Sequence, residues 1–376
     1  MIDRIIKQNI EKELFKGKAI ILIGSRQTGK TTVLREMFPE NDETMWMTGD
    51  DIGDKSRLEN MTTAIFRQFL KGKKILVIDE AQRISDIGLR MKLVTDYIKD
   101  VQLIATGSSA FELANHINEP LTGRKWEHRL YPLSFGEMVA HHGLMDEIRL
   151  LNHRLIYGYY PEVVTSEGAE TKVLKQLTDS YLYKDIFTLG LIKRSDKLVS
   201  LLKALAFQIG SQVSYSELAA TVGIDSKTVE SYIEVLEQAY IVFRLSSFSR
   251  NQRNELKHSR KIYFYDNGVR NALINSFNSI EERTDMGALW ENFVIAERIK
   301  HNEYYDHYCN KYFWRTRTQQ EIDYLEEYDG GLHAYEFKWN TRKKAKLPNS
   351  FNEAYPDSVF KIITPDNFYE FLLPEQ

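Results

Sequence analysis

Short apolar runs that end in polar or glycine-rich turns dominate the first third of the chain. Runs at 19–23, 75–78 and 101–105 are largely aliphatic, which is typical of strands buried on both faces of a parallel sheet. Helical spacing follows the first run at 32–38 and precedes the third at 87–99. Because strands and helices alternate, the pattern predicts an α/β fold with a parallel sheet.

The pattern changes beyond residue 145. Helical periodicity covers most of 146–190. Three further helices are predicted: one at 197–210, one that starts with a capping box at 214–219, and one at 226–240. An amphipathic helix is expected at 287–297, and strand-like runs at 312–316, 321–325, 333–338 and 359–364. We therefore expect a helical middle followed by a smaller α/β region.

The turn after the first apolar run carries the clearest chemical motif. It fits the pattern G-x-x-x-x-G-K-[ST] with the residues Gly24-Ser25-Arg26-Gln27-Thr28-Gly29-Lys30-Thr31-Thr32. Between a strand and a helix, such a loop closes backbone N–H groups around phosphates, and the helix N-terminus adds positive charge. Lys30 is expected to reach the β- and γ-phosphates and Thr31 to bind Mg²⁺. ATP and Mg²⁺ are the predicted cofactors.

Polar residues at the ends of the next two strands suit the same site. Asp79 is a candidate Mg²⁺ ligand, and Glu80 is a candidate base that polarises the attacking water. Thr106 and Ser108 end the third run, where they either sense the γ-phosphate or cap the following helix.

Further motifs give this region a specific resemblance. They are Asp-Glu-Ala-Gln at 79–82, Thr-Gly-Ser-Ser at 106–109, Leu-Thr-Gly-Arg at 121–124 and Tyr-Pro-Leu-Ser-Phe-Gly-Glu at 131–137. Together with the phosphate loop they resemble the prokaryotic AAA-type ATPases that carry a C-terminal DUF4143 domain. The resemblance implies an ASCE-type sheet whose sensor strand lies between the two motif-bearing strands, and a helical lid and hinge at 146–194. It also implies a homo-oligomer, most often a hexamer.

The same resemblance makes Arg124 a candidate arginine finger that reaches ATP in a neighbouring subunit. Arg129 competes for this role. An exposed ion pair of little energetic value is the alternative for Arg124.

The stretch 195–285 has the element order of a winged helix. Three helices precede strand-like runs at 241–245 and 261–265, and the connector contains Arg250, Arg253, Lys257 and Arg260 against the single acid Glu255. The basic wing suits contact with DNA phosphates. The third helix carries Glu230, Glu234 and Glu237, which suits a major groove poorly, so packing against protein remains the alternative.

Acidic residues and a lysine in the last segment resemble the PD-(D/E)XK nuclease core. Asp323 lies on one predicted strand, and Glu336 and Lys338 share a face of the next; Glu291 on the preceding helix completes the pattern. Asp323 and Glu336 would bind Mg²⁺, and Lys338 would orient water or stabilise developing charge. A degenerate site that only binds, or an ordinary solvated face, are the alternatives.

Composition adds few constraints. The net charge of −3 gives no global nucleic-acid signature, and the single cysteine, Cys309, excludes an intrachain disulfide. Its neighbours His301 and His307 lack standard zinc spacing and are read as incidental. Since no apolar run approaches the roughly 20 residues that span a bilayer, we expect a cytoplasmic protein without a membrane partner.

Together these features predict an ATPase core at 1–145, a helical lid at 146–194, a winged helix at 195–285 and a nuclease-like domain at 286–376. The function they favour is an ATP-driven, Mg²⁺-dependent nuclease acting on branched DNA such as Holliday junctions. No motif in the sequence is typical of base-specific DNA recognition, which favours recognition of the shape of the DNA. Two alternatives remain: a nucleotide switch whose last domain only binds DNA or protein, and an NTPase that acts on protein partners.

Overall fold

The computed structural model describes residues 2–107, 117, 120–182, 194–250, 259–342 and 345–374. The chain forms two compact units. The first comprises Asp3–Pro132 with Gln238–Tyr240, and the second comprises Leu133–Glu237 and the residues from Ile241 onward, with Ile2.

The first unit alternates strands and helices, as the apolar runs predict. Its elements are α1 (Ile6–Glu13), β1 (Ala19–Ile23), α2 (Lys30–Met37), β2 (Thr44–Thr48), α3 (Ile52–Asn60), α4 (Thr63–Phe69), β3 (Ile75–Asp79), a 3₁₀ turn (Ala81–Arg83), α5 (Ile87–Tyr97), β4 (Gln102–Gly107) and β5 (Lys125–Arg129).

Within the described residues of this unit, five strands form one parallel sheet in the order β2-β3-β4-β1-β5. β1 and β4 are buried at every position, which explains why their sequences are nearly continuous apolar runs. β4 lies between β1 and β3, so the expected placement of the sensor strand between the two motif-bearing strands is confirmed.

The second unit begins with helices and ends in a mixed sheet. Its helices are α6 (Phe135–His142), α7 (Leu144–Arg149), α8 (Leu151–Tyr157), α9 (Pro161–Thr165), α10 (Glu170–Gln176), a π-helical turn (Leu177–Leu182), α11 (Ser195–Phe207), α12 (Tyr215–Val222), α13 (Ser226–Gln238), α14 (Asn267–Leu273), a 3₁₀ turn (Ile280–Glu282), α15 (Met286–Tyr304), α16 (Asn349–Ala354) and α17 (Phe368–Leu372). Its strands are β6 (Gln212–Val213), β7 (Val242–Ser247), β8 (Arg260–Phe264), β9 (Asn310–Arg315), β10 (Glu321–Tyr328), β11 (Gly331–Phe337) and β12 (Val359–Ile363).

Seven strands of this unit form one continuous sheet in the order β12-β11-β10-β9-β7-β8-β6. The join is parallel pairing of β7 with β9, which sets Ser246 and Ser247 beside Tyr312 and Phe313. The sheet therefore crosses the domain boundary predicted at 285/286. As a result, β8 and the predicted nuclease strands belong to the same sheet.

A close backbone approach fixes α8 against the start of α14. A Cβ on Gly268 would lie 2.0 Å from the Tyr157 carbonyl oxygen, and one on Gly158 would lie 2.2 Å from an Asp266 carboxylate oxygen. Buried Asp266 accepts a hydrogen bond from the Tyr159 amide at 2.6 Å. Tyr159 and Tyr160, which lie between α8 and α9, are both buried.

Among the helices of the described residues, none is long and apolar enough to cross a bilayer.

Candidate nucleotide and metal sites

The phosphate loop joins β1 to α2 as predicted. Gly24 has φ +153° and Gly29 has φ +93°, a backbone region that favours glycine. Gly24 also packs tightly, since a Cβ there would lie 2.1 Å from the Leu130 carbonyl oxygen. Glycine is therefore required at both ends of the loop. At Gly24 both the backbone conformation and the lack of space for a Cβ require it, and at Gly29 the backbone conformation requires it.

Lys30 starts α2 and is buried inside the loop. Its Nζ donates to the carbonyl oxygens of Gly24 and Ser25, both at 2.8 Å. Thr28 closes the same turn by donating to the Ser25 carbonyl at 2.8 Å. The Lys30 ammonium group therefore lies inside the loop, where loops of this motif bind phosphates.

Arg4 braces the loop from the N-terminal segment, and sequence reasoning missed it. Its guanidinium donates to the Thr28 carbonyl and to the Tyr131 carbonyl, both at 2.7 Å, and the side chain is buried. A lone arginine ahead of α1 carries no motif signal. Only the fold shows that it ties two loops together.

The end of β3 lies beside the loop. The Thr31 hydroxyl donates to the Asp79 carboxylate, at 3.1 Å from Oδ1 and 3.0 Å from Oδ2. A hydroxyl and a carboxylate in contact form the oxygen donor set that Mg²⁺ takes in proteins. These two predicted metal ligands, 48 residues apart, are therefore brought together.

Thr106 connects Asp79 with Glu80. Its buried hydroxyl donates to Asp79 Oδ1 at 2.5 Å and accepts from the Glu80 amide at 3.0 Å. Glu80 has φ +47°, an unfavourable region for a residue with a Cβ, and its carboxylate accepts from Gln82 Nε2 at 2.6 Å. Such strain is characteristic of functional positions. Sensing of the γ-phosphate by Thr106 stays a prediction.

The remaining predicted loop residues differ in exposure. Ser25 is fully buried, Arg26 is half-buried, and Gln27 and Thr32 are exposed. Ser108, the second candidate sensor, lies outside the described residues.

Arg124 and Arg129 lie at opposite ends of β5. The Arg124 carbonyl accepts from the Ala19 amide where β1 begins, whereas Arg129 pairs with Ile23 where β1 enters the loop. The Arg124 side chain, 41% exposed, forms an ion pair with Asp96 at 2.7 Å. It therefore lies away from the phosphate loop of its own subunit, and its role in a neighbouring subunit stays a prediction.

Replacing Gly24 by alanine should remove nucleotide binding. The added methyl group would overlap the Leu130 carbonyl oxygen, so the loop must shift. We expect Gly24→Ala to lower the free energy of unfolding by about 1–3 kcal/mol and to abolish binding of a fluorescent ATP analogue. Gly72→Ala, at φ +83° in open space, is the control for backbone conformation alone. Analogue binding by Gly24→Ala equal to that of the control would contradict the assignment.

The four residues of the nuclease-like pattern converge in the second unit. The pairing of β10 with β11 places Tyr324 opposite Tyr335, and the same register continued by one residue sets Asp323 opposite Glu336. The Phe337 amide donates to Asp323 Oδ2 at 2.8 Å, and Lys338 Nζ lies 2.5 Å from Glu336 Oε1. α15, which packs against β8 and β11, adds Glu291.

Charges in this cluster interact strongly. Burial, reinforced by the negative charges of Glu291 and Glu336, raises the pKa of Asp323 well above its usual value. Burial opposes the positive charge of Lys338, but the carboxylates of Glu336 and Asp323 outweigh it and raise the pKa of that ammonium group. A carboxyl group whose pKa is strongly raised by burial and by specific charged neighbours, as here at Asp323, is typical of functional centres.

Three further residues belong to this cluster and were missed from the sequence: Lys261, Tyr263 and Glu321. Lys261 Nζ lies 2.9 Å from Glu291 Oε1 and 2.5 Å from Glu321 Oε1. The Tyr263 hydroxyl donates to the same Glu291 oxygen at 2.5 Å. The period-2 spacing of Lys261 and Tyr263 was visible, but nothing in the sequence showed that β8 joins the sheet of β10 and β11.

His307, Cys309 and Glu326 form another compact group, with potential ligand atoms within 4.8 Å of one another. Glu326 is already bound by Arg298 Nε at 2.9 Å and Nη2 at 2.8 Å. Burial, together with the negative charge of Glu326, raises the pKa of the Cys309 thiol to about 11. The group therefore contains a neutral thiol beside a buried ion pair.

The acidic residues of α13 are partly used within the protein. Glu230 pairs with Arg260 at 3.2 Å, and Glu237 accepts from the Arg244 amide at 2.7 Å. Arg250 lies 5.0 Å from the Tyr355 ring. Of the other connector residues, Arg253, Glu255 and Lys257 lie outside the described residues. These contacts favour packing over base reading for α13.

A cleft of about 530 Å³ opens beside the carboxylate cluster. Its lining combines arginines, neutral polar groups and aromatic rings, among them Arg315, Arg317, Gln212, Ser259, Trp314 and Tyr355. Arg315 connects the cleft to the cluster, because its Nη1 lies 3.4 Å from Glu321 Oε2.

Comparison with known proteins identifies three regions of the chain. A family described as an AAA domain matches residues 16–139, and two domains of unknown function match residues 148–279 (DUF8612) and 286–369 (DUF4143). An uncharacterized protein of Mycobacterium tuberculosis is 27% identical over 88% of this chain and 72% of its own length. An uncharacterized protein of Methanocaldococcus jannaschii is 23% identical over 86% of this chain and 75% of its own.

Among solved structures, the Walker-type ATPase of Pyrococcus abyssi aligns with a TM-score of 0.52 at 16% identity, over 73% of this chain and 96% of its own. That level of similarity shows a shared fold. The phosphate loop, the Thr31–Asp79 contact and the parallel sheet agree with it. Residues 16–139 therefore match an AAA domain, residues 286–369 match a DUF4143 domain, and the chain shares the fold of that Walker-type ATPase.

Proposed function

We propose that this protein is an ATP-hydrolysing nuclease that cleaves branched DNA in the presence of Mg²⁺. Two observations support it. The Thr31 hydroxyl contacts the Asp79 carboxylate beside the phosphate loop, and Glu291, Asp323, Glu336 and Lys338 converge in the second unit. The second observation carries the nuclease assignment.

ATP hydrolysis would use the residues around the loop. Loop amides and the α2 N-terminus bind the phosphates, and Lys30 exchanges its two carbonyl partners for phosphate oxygens. Thr31 and Asp79 would hold Mg²⁺, which neutralises phosphate charge when bound. Glu80 takes a proton from the attacking water, and Gln82 and Thr106 fix its position.

DNA cleavage would use the carboxylate cluster. Asp323 and Glu336 suit Mg²⁺ because hard cations take carboxylate oxygens. When bound, the metal supplies an activated water and charge stabilisation at the scissile phosphate. Lys338, beside Glu336, donates to the developing negative charge. Glu291 completes the carboxylate set from α15.

The adjoining cleft supports a nucleic-acid substrate. Arginines beside aromatic rings suit a phosphate backbone and unstacked bases. Unpaired bases occur at forks and junctions, which agrees with recognition of shape rather than sequence.

Arg317 provides a direct test of the cleft. It is exposed and lines the cleft, so we expect Arg317→Ala to weaken binding of four-way DNA several-fold. Loss of one phosphate contact should reduce the slope of log K against log salt by about 0.7–0.9. Fluorescence anisotropy across a salt titration measures both. The exposed Arg67→Ala is the matched control; an equal loss in both variants would exclude the cleft.

Cleavage itself is tested by incubating the protein with linear, forked and four-way DNA in Mg²⁺, with an EDTA control. We expect metal-dependent cutting of the branched substrates. If none of the three is cut, the nuclease assignment is wrong.

A nucleotide switch that binds DNA without cutting it is the second candidate. It is favoured by the two lysines in the cluster, since Lys261 and Lys338 already pair with the carboxylates that a metal would use. Binding of four-way DNA without cleavage under any metal would select it. In either case we propose a homo-oligomer, with Arg124 at the subunit interface.

A further inference from the structure

Lys261 brings a buried positive charge to the carboxylate cluster. Its side chain is 2% exposed, and its ammonium group contacts Glu291 at 2.9 Å and Glu321 at 2.5 Å. A buried ammonium group is strongly destabilising unless it is paired with negative charge. These two ion pairs therefore decide where the side chain rests.

Lys261 lies on β8, the strand that the sequence predicts as part of the wing. Lys261 pairs with Leu245 of β7 on one side and with Gln212 of β6 on the other. Period-2 alternation places Tyr263 on the same face, where its hydroxyl contacts Glu291 Oε1. One oxygen of Glu291 thus has two donors, and both come from a strand outside the DUF4143 match at 286–369.

The charges already present leave little attraction for an additional cation. The cluster contains three positively charged side chains and four carboxylates. The cations are Lys261, Lys338 and Arg315, and the carboxylates are those of Glu291, Glu321, Asp323 and Glu336. A divalent ion that entered without displacing any of these cations would therefore gain little net electrostatic attraction. Lys261 is the most deeply buried of the three and directly holds Glu291.

We propose that Lys261 is an internal cation that occupies the metal-binding cluster in its resting state and leaves when a divalent metal ion binds. The wing strand would thereby set the metal affinity of the nuclease-like site. This inference rests on the proposed metal-dependent function, and it adds a competitor that the D…E-x-K pattern does not contain.

Metal binding to Lys261→Gln tests the competition. Glutamine keeps a polar side chain without the charge, so more of the sites are free to bind metal and the apparent Kd falls. We expect Lys261→Gln to bind Mn²⁺ at least about tenfold more tightly than wild type by isothermal titration calorimetry. Lys203→Gln, an exposed lysine of α11, should match wild type.

A labelling experiment on the wild type provides the second measurement. Reductive methylation, read by mass spectrometry, should leave Lys261 unmodified without metal and modify it several-fold faster in saturating Mn²⁺. It needs no variant, so it decides the matter if Lys261→Gln fails to fold.

The inference is overturned if Lys261→Gln binds Mn²⁺ no better than wild type, or if Lys261 stays protected when metal is bound. Absence of Mn²⁺ binding in both proteins would also overturn it. Neither readout involves DNA. If wild type cuts no DNA but Lys261→Gln gains metal affinity, the nuclease function fails and the role of Lys261 stands.

Discussion

Lys30→Ala should lose ATP hydrolysis almost completely, with a fall in kcat of roughly 10²–10³. Lys30 is the buried lysine of the phosphate loop, and its Nζ is held by the Gly24 and Ser25 carbonyls at 2.8 Å. No other described lysine is placed inside the loop. Without Lys30, the charge that develops on the phosphates in the transition state loses its closest donor. Steady-state phosphate release measures the effect.

Lys74→Ala is the matched control. Lys74 is exposed and pairs with Glu43 in the same unit, so its loss should leave turnover within a factor of about two, since exposed pairs contribute little. Full phosphate release by Lys30→Ala would show that the loop is not the hydrolytic site.

Asp323→Asn should abolish DNA cleavage while stabilising the fold. The amide cannot act as an anionic metal ligand, so we expect a loss of at least about 100-fold in cleavage rate. Asparagine can still accept the hydrogen bond from the Phe337 amide at 2.8 Å. Its neutrality also removes the repulsion between Asp323 and the carboxylates of Glu291 and Glu336.

The direction of the stability change follows from the pKa of Asp323. Burial, with Glu291 and Glu336, raises this pKa, so the native state favours the protonated carboxyl. Its stabilising contribution is present at low pH and is lost as the pH rises through the raised value. A neutral amide avoids that loss, so Asp323→Asn should melt above wild type near pH 7. The exposed Asp357→Asn is the control; cleavage by Asp323→Asn at the wild-type rate would remove Asp323 from the site.

The fold of the first unit was accessible from sequence because its signals are local. β1 is apolar throughout, glycines mark the loop, and Lys30 begins the helix directly behind it. Each feature follows from burial on both faces of a parallel strand or from the geometry of a phosphate-binding turn. The contact between Thr31 and Asp79 then follows, because the loop after β1 and the end of β3 lie at the same carboxyl edge of the sheet.

The fold of the second unit was harder to predict from sequence, because its sheet depends on pairing between strands that are far apart in the chain. Strands were predicted at 241–245 and 312–316, but nothing local showed that Ser246 pairs with Tyr312. That pairing brings β8 into the sheet that carries the cluster, and therefore the contact of Lys261 with Glu291 could not be foreseen. Arg4 was missed for the same reason, since its partners Thr28 and Tyr131 are 24 and 127 residues away.

Cleavage of four-way DNA by wild type, Lys30→Ala and Asp323→Asn, measured side by side with Mg²⁺ and ATP, tests the central claim most directly. We expect wild type to cut the junction and Lys30→Ala to cut it poorly. Asp323→Asn should hydrolyse ATP normally without cutting. If wild type leaves the junction intact, or if Asp323→Asn cuts it as fast as wild type, the assignment of an ATP-driven nuclease is contradicted.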